Sequence, residues 1–463
     1  MNEPELIPQS PQTESRDPGQ LIMFFSFALL MLGFSTIWVF FNLSHVQILT
    51  VVFGIAFFAI AFFSIRLGLV LMAISMLFSP EFSVGSIGAR DIAIRIEDVL
   101  IPILTLAWLA QVTIRRQWGM FSWTPLNKPI FLLIIVSIFS TIRGSLTGWV
   151  SPLTGTFYVF KTLEFFSIYF LTVNYVREEK QIKYFLFFIL LVAGFLGLYT
   201  LKQVPTTQIF SSNRITAPFE GQAEPATVGG YMAFLIIIIV SILLYERNSG
   251  LKILYGLLIA IMLVPFLFTL NRASYIALIG GGVFVGVLSR KKWFNLFLLF
   301  LLVSSPVWAP PAVKERIAFT WEDARNPGRT LGVDYSLQER FYAYRRMWPG
   351  FKESPLIGWG VTSWQTPDSQ WARTLHEIGI VGLAFWIWIF TRLFKSSYWL
   401  FRRQDAGIMK GMALGYCAAL LGIILHGFGA ITLYIVRIME PFWFVSGLIT
   451  SMYLLKIKEI KDG

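Results

Sequence analysis

From residue 21 onward the chain alternates long apolar runs with short polar breaks, and Lys and Arg gather in the breaks. A run of roughly 20 apolar residues is long enough to cross a bilayer as a helix. On that criterion about 14 spans are predicted, at 21–41, 47–64, 66–80, 97–114, 129–143, 156–175, 183–201, 226–245, 252–270, 274–289, 293–309, 374–392, 407–427 and 437–455. The expected fold is all-α, a polytopic helical membrane protein. Residues 21–309 supply helices one to eleven, residues 374–455 supply helices twelve to fourteen, and one long extracytoplasmic loop, 310–373, lies between the eleventh and twelfth. Residues 1–20 carry four prolines and several acidic side chains and no basic leader, which predicts a disordered cytoplasmic tail. Residues 456–463 form a second, basic tail.

Charge placement gives the orientation. Arg115-Arg116, Arg177 to Lys183, Arg247 to Lys252, Arg290-Lys291-Lys292, Lys395 to Arg403 and Lys456 to Lys461 all fall on one face of this topology. Short basic loops stay in the cytoplasm, so both termini are expected there, in a bacterial inner membrane. The opposite face receives residues 81–96, the loop 202–225, the Asn271-Arg272 corner and the loop 310–373.

Composition agrees with the hydropathy. The chain of 463 residues is 56% hydrophobic and only 14% charged, with mean hydropathy +0.66; soluble chains carry roughly 25% charged residues. The net charge of +12 sits mostly between spans, a pattern of topology signals and anionic lipid contact, not of a nucleic-acid groove. One cysteine, Cys417, excludes a disulfide framework, and three separated histidines, His45, His376 and His426, argue against a histidine metal cage. No metal or cofactor is expected.

Chemistry is expected in the polar segments. The loop 310–373 and its borders hold Arg340, Arg345, Arg346 and Arg373 with Trp359 and Trp371. Guanidinium groups make forked hydrogen bonds to phosphate, and flat aromatic faces suit sugar rings. An interfacial belt of aromatics with snorkelling arginines accounts for part of the same pattern. Arg214 lies in a loop with two acids, and Arg272 lies between two spans with almost no connector, where it either snorkels or meets an anion. Asp368 and His376 are the candidate bases, with a turn residue and a packed histidine as their structural readings. Lys161 and Glu164 stand three apart on one helix face, as a neutralising pair or an ion-coupling pair.

Several of these residues fall into motifs. Asp368-Ser369 is followed by nine residues and then Gly379-Ile380-Val381-Gly382. Asn271-Arg272-Ala273 follows a span, and Arg214 precedes Phe219-Glu220-Gly221 and Glu224-Pro225. Arg345-Arg346-Met347-Trp348 leads to Pro355-Leu356-Ile357-Gly358-Trp359-Gly360. In that order the motifs resemble the O-antigen ligase and O-antigen polymerase superfamily, best over residues 205–455. Asp368 stands where that family usually has histidine, Ser369 fits, and an expected Asn after Pro225 is absent.

The resemblance implies a metal-independent, inverting glycosyltransferase. Its donor would be a glycan on undecaprenyl diphosphate, and it would polymerise O-antigen or exopolysaccharide repeats at the outer face. Arg214, Arg272, Arg340, Arg345 and Arg346 would hold the diphosphate. Asp368 or His376 would act as the base, and Ser369, Trp359 and Trp371 would bind acceptor or sugar. A ligase that transfers the glycan to lipid A–core is the alternative. A transporter or flippase of an anionic lipid is a second alternative, and it would be marked by broken helices and repeat symmetry. Partners would be the lipid-linked oligosaccharide, membrane lipid and polysaccharide chain-length or export proteins, with no nucleic acid.

Overall fold

The computed structural model describes residues 56–87, 90–114, 122–206, 214–219, 224–322, 335–364 and 369–462. The tail 1–20, the expected span 21–41, the first half of 47–64, Arg115-Arg116 and the candidate base Asp368 lie outside these residues.

The fold is a helical bundle. In chain order it contains α1 (Ile65–Phe78), a hairpin of β1 (Glu81–Ile87) and β2 (Arg90–Arg95), α2 (Glu97–Ile114), α3 (Asn127–Leu146), α4 (Pro152–Tyr175) and α5 (Glu179–Leu201). It continues with α6 (Pro225–Tyr245), α7 (Ser249–Phe268), α8 (Arg272–Ser289), α9 (Lys292–Val303), α10 (Pro311–Glu322), α11 (Tyr335–Glu353), α12 (Gln370–Arg403), α13 (Ile408–His426) and α14 (Val436–Asp462). Among the described residues, 10 helices are long and apolar enough to cross a membrane, and α1 and α9 are shorter apolar helices. The chain is therefore a polytopic membrane protein.

The centre of the bundle is α6 with α13 and α14, the three most buried helices. The reason is in their side chains. On α13 a Cβ at Gly411 would lie 2.4 Å from the Ile242 Cα of α6, and one at Gly415 would lie 2.7 Å from the Ile238 Cα. Two glycines four apart let the helix backbones touch, which replaces the hydrophobic drive that lipid does not supply. Peripheral helices such as α7 and α9 keep much of their Leu, Ile and Phe surface exposed, as lipid-facing helices do.

Two departures from a bundle with plain loops matter for function. Residues 81–95 form an antiparallel hairpin in which Glu81 pairs with Arg95 and a bulge falls between Ser83 and Gly85. The described residues of 310–373 include two helices, α10 and α11, which pack down onto the bundle as a cap. Ala343 and Met347 of α11 share a small core with Trp364 and with Ala372 of α12. Hydropathy missed these helices because each buries only one stripe, while Arg345 and Arg346 stay exposed on the other face of α11.

Candidate functional site

The cap meets the bundle where α12 breaks. At 34 residues α12 is far longer than a bilayer requires, and it is two helices joined at Gly379, whose φ of 65° and ψ of −167° are non-helical. The break frees carbonyls on one side and N–H groups on the other. The Pro355-Leu356-Ile357-Gly358-Trp359-Gly360 segment lies across it and takes both. Trp359 N donates to His376 O at 2.9 Å and Gly360 N to Glu377 O at 2.8 Å. Ile380 N donates to Pro355 O at 2.9 Å and Val381 N to Leu356 O at 3.1 Å. Ser140 of α3 donates to Ile357 O at 2.6 Å and to Glu377 O at 2.7 Å, and Arg143 donates to Gly358 O at 2.8 Å. Buried backbone groups must be satisfied, and here a strand-like clasp satisfies those of a broken helix. Gly358 is required because its φ is 67° and a Cβ would lie 2.5 Å from the Glu377 carbonyl carbon and oxygen.

The clasp orients the first segment of α12, residues 370–378, on the end of the bundle. Ser369 caps it: its hydroxyl accepts from Ala372 N and donates to Tyr344 of α11 at 2.9 Å. Gln370 N donates to Gly427 O at the end of α13, and Gln370 Oε1 accepts from Leu433 N at 3.0 Å. Asp368, one residue earlier in the sequence, lies outside the described residues.

Beside this segment the arginines gather. Asn271 caps α8 by accepting from Ser274 N at 3.0 Å, which places Arg272 in the first helical turn. Arg340 of α11 donates to Gly429 O at 3.2 Å. A Cβ built at Gly429 would sit 2.8 Å from the Ala273 Cβ and 3.1 Å from the Arg340 guanidinium carbon, so Arg340 reaches the start of α8. Arg316 of α10 donates to Leu270 O at 3.4 Å at the same corner. A helix N-terminus carries unpaired N–H groups and a positive dipole end. Three guanidinium-bearing residues around one such end form a basic site suited to an anion.

His426 locks this corner. It is fully buried; its Nε2 lies 3.2 Å from Ser274 Oγ of α8, and its Nδ1 lies 2.8 Å from Thr432 Oγ1. Two residues on, Tyr434 donates to Glu377 Oε2 at 2.6 Å. Glu377 Oε1 accepts from Arg373 Nε at 2.9 Å and from Thr362 N at 2.9 Å, and the Arg373 guanidinium lies 3.7 Å over the Tyr434 ring. Arg373 is fully buried and its two terminal amino groups make no hydrogen bond. Burial, reinforced by the Glu377 carboxylate, holds the Tyr434 phenol well above its usual pKa, so it remains a donor. Replacing it (Tyr434→Phe) strips the Glu377 carboxylate of one buried donor. About 1–3 kcal/mol of stability should be lost, read as an earlier midpoint in thermal unfolding of the detergent-solubilised protein.

The remaining expected site residues are placed as follows. Arg214 lies on the coil 214–219, where burial lowers its pKa from the ordinary guanidinium value. That coil is held by Arg437, whose guanidinium donates to Pro218 O at 2.8 Å and to Ser79 O at 3.3 Å. Arg345 and Arg346 are exposed on α11, on the face turned away from its core contacts. His376 packs among Trp364, Trp149 and Gly350, with Nδ1 3.1 Å from Ser363 Oγ. Trp359 donates to Gly350 O at 2.7 Å and stacks on Trp149, and Trp371 donates to Ile424 O at 3.2 Å. Sequence reasoning missed His426, Glu377 and Tyr434. The i,i+4 spacing of Arg373 and Glu377 marks that pair, but the partners Ser274 of His426 and Glu377 of Tyr434 lie 152 and 57 residues away, beyond any local spacing.

Residues 257–387 match the family model described as O-antigen ligase. The match runs from α7 through the break in α12 and takes in Arg272, Arg316, Arg340, the clasp and Arg373. It supports a place for the chain in the O-antigen ligase and polymerase superfamily. No curated protein matches the chain.

Proposed function

With that family as the premise, we propose that the protein is a membrane glycosyltransferase that polymerises glycan repeats carried on undecaprenyl diphosphate, at the outer face of a bacterial inner membrane. The observation that carries the reading is the convergence of Arg272 and Arg340 on the N-terminal turn of α8, beside the anchored start of α12. Glycosyl transfer from a lipid diphosphate leaves a growing negative charge on the departing diphosphate. Preorganised guanidinium groups and helix N–H groups stabilise that charge without reorganising. Arg316 extends the same basic corner, the coil-borne Arg214 is a further candidate for the diphosphate, and the exposed Arg345 and Arg346 attract the anionic donor from farther out.

The acceptor is a sugar hydroxyl. Asp368, the residue before Ser369 in the sequence, takes its proton as the hydroxyl attacks the anomeric carbon, and the diphosphate leaves from the opposite side. A carboxylate thus serves where the family usually has histidine. The packing of His376 among Trp364, Trp149 and Gly350 supports a structural role for it. Trp359 and Trp371 have their indole N–H groups committed to backbone carbonyls, which supports scaffold roles ahead of sugar stacking. The sealed break in α12 favours an enzyme over a transporter, whose broken helices open onto a substrate path.

The test is reconstitution in liposomes with a short undecaprenyl-diphosphate-linked oligosaccharide as both donor and acceptor. A ladder of longer glycans on the lipid is expected. Transfer that occurs only when lipid A–core is added would replace this reading with the ligase. No transfer to either acceptor by folded protein would remove the enzymatic reading altogether.

A further inference from the structure

A second polar centre lies inside the bundle, away from the arginine corner. Lys161 of α4 makes ion pairs with Asp98 of α2 and, at 3.0 Å, with Glu164 of its own helix. Glu440 of α14 approaches from a third helix. One carboxylate oxygen from each of Asp98, Glu164 and Glu440 falls within 4.8 Å of the others. Glu97 is the next residue along, fully buried, with Arg95 as its ion-pair partner at 3.9 Å.

Four carboxylates, Glu97, Asp98, Glu164 and Glu440, gather here, with Lys161 and Arg95 as their ion-pair partners. Lys161 engages one oxygen each of Asp98 and Glu164, and Asp98 Oδ2 accepts from Arg95 N at 3.1 Å. Glu164 Oε1 and both oxygens of Glu440 are buried and make no hydrogen bond, and Glu440 is 0% exposed. A carboxylate without a partner in a helical membrane bundle is costly. Its free lone pairs are turned toward the other two acids.

We propose that Asp98, Glu164 and Glu440 bind one hard divalent cation of the calcium or magnesium class. Such ions take carboxylate oxygens at about 2.0–2.6 Å, so oxygens on opposite sides of one ion are separated by up to about 5 Å. The observed spread fits calcium as it stands, and magnesium once the acids close in. One divalent ion would supply positive charge to the unpaired carboxylate oxygens while Lys161 stays in place. A cavity of about 590 Å³, lined mostly by apolar side chains such as Ile101, Leu106, Phe157 and Phe160, borders Asp98, Lys161 and Glu164 and opens a path to them, though Glu440 does not line it. The ion would tie α2, α4 and α14 together just below Arg437, the residue that holds the hairpin end and the Arg214 coil. It is a structural ion, and it shares no residue with the arginine corner.

The experiment uses the full chain purified in detergent near neutral pH, with metal content measured after exhaustive dialysis. Thermal unfolding is followed with chelator, then with calcium or magnesium chloride restored. About one equivalent of metal per chain is expected. Chelation should lower Tm by several degrees, reversed by the added ion. Glu440→Gln and Glu164→Gln should hold no metal and melt at a temperature indifferent to chelator. Two results overturn the proposal. One is parent protein free of metal with a Tm that none of these ions moves, which leaves protons as the neutralising charge. The other is Glu440→Gln and Glu164→Gln protein retaining the same metal content and response, which places the ion elsewhere. If the variants fail to fold, metal content and chelator response of the parent decide the matter.

Discussion

Arg272→Ala is expected to slow glycan transfer by about 10²–10³-fold while the protein still folds and inserts. The argument is electrostatic. Arg272 stands in the first turn of α8, where unpaired N–H groups already favour an anion, and Arg340 comes in from the cap to the same turn. Charge that develops on a leaving diphosphate is stabilised most by donors fixed before the reaction starts. Arg340→Ala should act in the same direction, and the double variant should lose less than the product of the two effects, because both groups serve one anion. Arg272→Lys should recover part of the rate, since lysine supplies the charge without the forked geometry. The rates come from the liposome ladder assay, and circular dichroism of the same preparations reports the fold. Parent-like elongation by Arg272→Ala would remove that side chain from the mechanism.

Gly379→Ala is expected to damage the fold severely for so small a substitution. Gly379 has φ 65° and ψ −167°, a region that other residues enter only at a cost of about 1–3 kcal/mol. A Cβ there would also lie 2.3 Å from Leu356 O and 2.6 Å from Ile357 N, which are backbone atoms of the clasp and have nowhere to move. The result should be loss of the clasp, an α12 that runs on as one helix, and a cap detached from the bundle. Destabilisation above about 3 kcal/mol follows from strain and clash together. Gly256→Ala, on α7, is the comparison. An added Cβ there would meet nothing within 4 Å, so no loss is expected. Fluorescence-detected size-exclusion profiles after a heating series separate the two. Equal melting of Gly379→Ala and the parent would mean that the break in α12 is not held as described.

Arg272 and Gly379 show what was legible in the chain. Long helices such as α6 and α7 were readable because an uninterrupted apolar run has one stable form in lipid, a helix that satisfies its own backbone. The Gly379-Ile380-Val381-Gly382 and Pro355-to-Gly360 motifs were readable as markers, but their reason was not. Glycines that look like a catalytic signature prove to be the two halves of a backbone clasp, and only the hydrogen bonds between residues 355–360 and 376–381 reveal it. The pairing of Lys161 with Glu164 follows from helix spacing, and it forms as expected. Asp98 and Glu440 come to the same point from other helices, so periodicity could not find them. The same holds for Arg272 and Arg340, for which sequence supplied residue types but no proximity. The cap helices α10 and α11 were hidden for a different cause: their half-buried stripes carry too little apolar character to register as spans.

The central claim is that guanidinium groups at the N-terminus of α8 recognise a lipid-borne diphosphate. It is tested most directly by equilibrium binding of undecaprenyl diphosphate and undecaprenyl monophosphate to the purified protein, measured side by side for the parent and the Arg272→Ala/Arg340→Ala double variant. The parent should bind the diphosphate at least about tenfold more tightly, the equivalent of about 1.4 kcal/mol, and the double variant should bind the two lipids alike. A folded double variant that keeps the full preference for diphosphate would contradict the account.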